Sequence, residues 1–60
     1  MRKLGELNAM SIKVGDTLSI YGQFTKVIHV DFLPSGNVEI ETEFFDKAVY
    51  NPVAKIEIYA

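Results

Sequence analysis

Glu39, Glu41 and Glu43 recur at every second position, and the single histidine, His29, lies with Asp31 in a β-branched stretch just upstream. If both stretches are strands, the period-two geometry of a strand puts the three glutamates on one face. A hairpin between the two sets His29 opposite Glu41 and Asp31 opposite Glu39. Such a group can attract a basic protein, hold a cation through its carboxylates and imidazole, or keep an outer strand face solvated. Facing carboxylates cost a little stability as like charges, so the Asp31–Glu39 pair is a small pointer to function. A catalytic base at His29 needs a nucleophile or an orienting group, and no Ser-His-Asp spacing supplies one. His29 reads as a surface histidine beside Glu41. No catalytic residue and no metal site is assigned, no cofactor is expected, and the chain reads as a non-enzyme.

The acidity is local. Residues 38–46 hold four acids and no base, which leaves four acids against six bases elsewhere in a chain of net charge −2. A negative face of this kind steers cationic partners and repels phosphate. Nucleic-acid binding is expected to be weak, because its affinity depends on neutralising phosphates. The absence of cysteine removes disulfides, thiolate metal sites and thiol nucleophiles together, and permits a reducing, cytoplasmic setting. No apolar run approaches the roughly 20 residues that span a bilayer, and the basic opening is followed by no signal-like apolar stretch.

The elements that must position these residues are strands. From Ile12 the pattern has period two: residues 12–14, a Gly15-Asp16 turn, residues 17–21, the long run 26–33, residues 37–44, residues 48–50 and residues 54–59. Residues 33–37 give the sharpest local inference. Pro34 fixes φ at the first turn position, and Gly36 suits the left-handed position of a three-residue hairpin loop. That centre pairs Leu33 with Asn37, Phe32 with Val38, Val30 with Ile40 and Ile28 with Thr42. A one-residue slip puts glutamates into the core, so the register is strongly specified. Phe24, Phe32 and Phe44 are expected to fill that core. Phe45, directly after Phe44, is expected on the opposite face, where it serves either recognition or a second small core. Tyr50 and Tyr21 are expected to be partly exposed.

Residues 1–11 break the pattern. Leu4, Leu7 and Met10 are spaced nearly as on a helix, but Gly5 and Asn8 are poor helix residues. A mobile lead and a short helical turn fit equally, and the domain proper is taken as residues 12–60. The expected fold is all-β: a small five-stranded antiparallel barrel, with a short N-terminal helical turn as an option.

Three features resemble Src-homology-3-like small barrels, the architecture shared by KOW and Tudor modules. Val14-Gly15-Asp16-Thr17-Leu18 is similar to the glycine-aspartate turn leading into their first strand. Residues 26–44 are similar to their long bent central hairpin. Asn51-Pro52-Val53 stands where they make a single 3₁₀ turn before the last strand. The resemblance implies a fold over residues 12–59 and no particular activity. There is no tryptophan for a proline-peptide groove, no clear aromatic cage, no basic excess of a KOW module and no second motif of the Sm-like barrels.

The functional expectation is a non-catalytic protein-interaction module, an accessory or inhibitor protein that binds a larger macromolecule. Its candidate surface comprises Glu39, Glu41, Glu43, His29 and Asp31 with the aromatics Phe45 and Tyr50. The alternative is a nucleic-acid-associated barrel using Lys13, Lys26, Lys47 and Lys55; a third reading is an enzyme whose site forms at an oligomer interface beside His29. A protein partner or self-association is expected, through edge strands at residues 48–50 and 56–59, with no membrane role.

Overall fold

Alternation along residues 38–42 works as the sequence implies: Val38, Ile40 and Thr42 are buried, while Glu39 and Glu41 point outward and are half-buried. The computed structural model describes all of residues 1–60 and contains six strands. They are β1 (Lys3–Asn8), β2 (Thr17–Ile20), β3 (Gln23–Phe32), β4 (Val38–Thr42), β5 (Phe45–Tyr50) and β6 (Lys55–Tyr59). A 3₁₀ turn, Ala9–Ser11, follows β1. All pairings are antiparallel, in one open sheet of order β1-β6-β2-β3-β4-β5. The class is all-β as expected, but six strands in an open sheet replace the expected five-stranded barrel. No helix is long and apolar enough to cross a membrane.

The sixth strand comes from the segment read as a lead. β1 lies along β6 with Leu7 opposite Ile56, and Arg2 and Ala60 exchange both backbone bonds at 2.7 and 2.9 Å. The following turn is held by Ala9 N–H to the Ala54 carbonyl (2.9 Å) and Met10 N–H to the Pro52 carbonyl (3.1 Å). Ala9 is fully buried. Residues 1–11 are therefore built into the sheet and core, and the helical turn occupies only their last three positions. The near-helical spacing of Leu4 and Leu7 has another cause. The register steps by two residues on β1 and one on β6 between Lys3 and Gly5, so Leu4 is the extra residue of a bulge.

The β3–β4 hairpin has the expected tip. Leu33 N–H bonds to the Asn37 carbonyl and Gly36 N–H to the Leu33 carbonyl, both at 2.9 Å, with Gly36 at φ 92°. Phe32–Val38, Asp31–Glu39, Val30–Ile40 and His29–Glu41 pair as expected. The next pair is Val27–Thr42, not Ile28–Thr42. Ile28 is a bulge residue: Val27 and Val30 both face the core although they are three positions apart, and Ile28 is turned out to 47% exposure. A bulge also sharpens the local twist, which curls the sheet.

The core is aliphatic. Ala9, Ile12, Leu18, Val27, Val38 and Ile40 form it, with Leu7, Ile20, Val30, Tyr50, Ile56 and Ile58 packed around. None of the three phenylalanines expected there belongs to it. Phe24 faces Ser19 on the outer side of β3, out of phase with buried Thr25 and Val27. Phe44 sits in the two-residue turn between β4 and β5, and Phe32 lies on the Val38 side beside the hairpin tip. The latter two are each 62% exposed. The free edges also differ from expectation: β5 is one, but β6 is covered on both sides and β1 is the other. Both edge strands carry bulges, which blunt an edge against further pairing.

Candidate functional site

The β3–β4 register carries His29, Asp31, Glu39 and Glu41 to one outer face. His29 stands opposite Glu41 and Asp31 opposite Glu39, whose other neighbour is Val49 on β5. A nitrogen of His29 and carboxylate oxygens of Asp31 and Glu39 lie within 4.8 Å of one another. One imidazole and two carboxylates suit a first-row divalent cation by donor type, but His29 and Asp31 lie on open surface and Glu39 is only half-buried. Glu43 is displaced into the β4–β5 turn, where its N–H bonds to the Lys26 carbonyl at 2.9 Å. No basic side chain pairs with this face, because both ion pairs of the molecule belong to Lys3, with Glu6 and Glu57.

The aromatics of the expected surface are elsewhere. Phe45 pairs with Thr42 and Tyr50 with Val38, both core-facing positions, so both rings lie on the concave side of the sheet. Cross-strand partners share a face, so the sheet separates Tyr50 from Glu39 and Glu41, whereas Phe45, beside the β4–β5 turn, also lines a groove with Glu41. The structure thus brings His29, Asp31, Glu39 and Glu41 together, sets Tyr50 apart from them, and leaves Phe45 at the border of the acidic face.

The acidic face has different apolar neighbours. Ile28 and Phe44 line a shallow groove of ≈ 270 Å³ with Glu41, Thr42, Glu43, Phe45 and Asp46. Sequence reasoning missed both. Ile28 was placed in phase with the core, and Phe44 appeared to continue the β4 alternation. The available signal was the Phe44-Phe45 doublet, the point where the alternation from Val38 first breaks.

A separate polar network fastens β1 to β6. Lys3 Nζ donates to Glu57 Oε2 at 3.0 Å and Tyr59 Oη donates to Glu57 Oε1 at 2.8 Å. The hydrogen bond from Lys3, then that from Tyr59, holds the Glu57 carboxyl below its ordinary value. The same bonds raise Lys3 and Tyr59 above theirs. Phe24 packs edge-on against Tyr59, with ring centres 5.0 Å apart.

Comparison with protein-family models, with characterised proteins and with solved structures gives no match to this chain.

Proposed function

We propose that this domain is a non-catalytic protein-interaction module that docks a basic partner on the outer face of β3 and β4. Ile28 and Phe44 act as apolar anchors, and Glu39, Glu41, Glu43 and Asp46 supply the surrounding charge. The observation that carries this reading is the unneutralised acidic rim around two large exposed apolar side chains. Apolar anchors inside a polar rim are the usual anatomy of a recognition surface. We also take the fold to be a half-open barrel of the Src-homology-3-like kind. What supports this is the order of the last five strands: β2 to β5 meander, and β6 returns beside β2.

An alternating lysine-leucine heptapeptide is a suitable probe. Titrated into ¹⁵N-labelled protein, it should move the amides of Ile28, Glu41 and Phe44, and the effect should weaken with salt. Glu41→Lys and Phe44→Ser should each reduce the response. Peptide shifts confined to the concave side would sink the proposal, as would oligonucleotide binding at micromolar or tighter concentration in physiological salt. The four lysines of the nucleic-acid alternative lie on four different segments: the approach to β2, then β3, β5 and β6.

A further inference from the structure

β2 and β6 should run side by side, yet they pair only at Thr17–Tyr59 and Leu18–Ile58 before diverging. Beyond that point an open cleft of ≈ 500 Å³ lies on the concave side, between β2 and β6 on one wall and β4 and β5 on the other. Leu18, Ile20, Ile40, Ala48 and Ile56 supply its apolar wall, beside a nearly equal polar lining. Small-molecule pockets span roughly 300–1,000 Å³ and pair apolar walls with a few placed polar groups.

Two features are unexplained by folding alone. Thr42 lines the cleft and is 3% exposed, and its Oγ1 has no hydrogen-bond partner. Buried hydroxyls are normally satisfied. In the free protein this hydroxyl stays buried and unpaired, and a turn about χ1 toward an occupant of the cleft would give it a partner. The second feature is Tyr21, which stands at the mouth with φ 50° and is followed by Gly22 at φ 78°. Left-handed φ at both central residues of a two-residue hairpin turn favours Asn-Gly, and a bulky residue there is strained. Tyr21 is nonetheless 96% exposed, with its ring centre 6.1 Å from that of Phe45. Backbone strain retained for an exposed aromatic at a cleft mouth is a pointer to recognition.

We propose that the concave cleft binds a small, uncharged aromatic or alicyclic molecule carrying one hydroxyl or carbonyl. Its ring packs against the Tyr21–Phe45 pair at the mouth, and its oxygen is bonded to the Thr42 hydroxyl. Charge at the mouth selects the neutral species. Glu57 is committed to Lys3 and Tyr59, which leaves one acid, Asp46, against one base, Lys55. The cleft and the peptide-docking groove share Thr42, Phe45 and Asp46 in their linings, so the two are told apart at Leu18, Ile20 and Ile56, which line only the cleft, and at Ile28 and Phe44, which line only the groove.

The probes are 4-fluorophenol and fluorobenzene, followed by ¹⁹F and ¹⁵N NMR on the intact chain. Fluorophenol should bind saturably with a Kd on the order of 1 mM, as suits so few atoms, and should shift Leu18, Ile20, Ile40 and Ile56. Thr42→Val should weaken fluorophenol about five-fold, the value of one hydrogen bond, and leave fluorobenzene unchanged. Tyr21→Asn should weaken both probes while raising the thermal midpoint. The proposal is overturned by a non-saturating response, by shifts outside the cleft, by equal loss of both probes in Thr42→Val, or by undiminished binding in Tyr21→Asn.

Discussion

Thr25 and Thr42 are both buried, at 2% and 3% exposure, and they should respond to the same substitution with opposite signs. Thr25 Oγ1 accepts the Phe44 N–H at 3.2 Å, whereas Thr42 Oγ1 has no partner. Valine has the shape of threonine with the hydroxyl replaced by a methyl. At Thr42 the change removes an unpaired buried hydroxyl, whose burial costs about 1–3 kcal/mol, and adds apolar burial. Thr42→Val should therefore stabilise the domain by about 1 kcal/mol. At Thr25 it leaves the Phe44 N–H without its acceptor and should cost about 1 kcal/mol. For a domain of this size, 1 kcal/mol moves the thermal midpoint by roughly 4–8 °C, so the variants should straddle the parent by an easily measured margin. Circular dichroism melts, repeated as urea titrations, give both shifts. The slope of the urea transition should stay constant, as expected when stability alone changes. A fall in midpoint for Thr42→Val would refute the reasoning, since it would mean that the hydroxyl is bonded in solution.

Tyr21→Gly should raise stability by about 1 kcal/mol by relieving the left-handed strain, read as an upward shift in urea midpoint; a loss would mean that the ring contributes more to packing than its exposure implies. Removing residues 1–8 strips β1 from β6 and should unfold the domain, whose total stability is only about 3–9 kcal/mol at this length; a cooperative melt in the truncated protein would restore the mobile-lead reading. The folded value of Glu57 lies below its ordinary 4.5, so its contribution is full above pH 4.5 and fades as pH falls through the folded value. Lys3 and Tyr59 are raised, so theirs is full at neutral pH and fades as pH climbs above about 10 through their folded values. The exposed network makes both limbs shallow, and midpoint–pH curves for Glu57→Gln should lack them. Asp31→Thr should stabilise by a few tenths of a kcal/mol by removing the charge opposite Glu39, and an unchanged urea midpoint would mean that solvent already screens the pair.

The β3–β4 hairpin was legible because two independent signals agree on its register. Pro34-Ser35-Gly36 fixes the turn, and the alternation of Val38 to Thr42 admits only one face to the core. The acidic cluster followed directly, since His29, Asp31, Glu39 and Glu41 take their places from that register. Legibility stopped at the bulges. Nothing in residue type marks Ile28 or Leu4 as an extra residue, and each reverses the facing of everything beyond it. The aromatics failed for a related reason: large apolar residues were assigned to the core by type, although a core of six aliphatic side chains left Phe32 and Phe44 outside it.

The sequence by itself determined the local quantities: strand as the element type, the hairpin tip, and a concentration of carboxylates on one strand face. Each depends on residues within a few positions of one another, where turn chemistry and side-chain alternation act directly. Tertiary structure alone decided which residues the sheet covers, because that depends on contacts between distant parts of the chain. The pairing of Leu7 with Ile56 turned a helix-like spacing into a strand. The bulge at Ile28 put an apolar side chain beside the acidic rim, and the divergence of β2 from β6 opened the cleft over Thr42. Burial is a property of the assembled sheet, and a period-two pattern does not encode where the sheet bends.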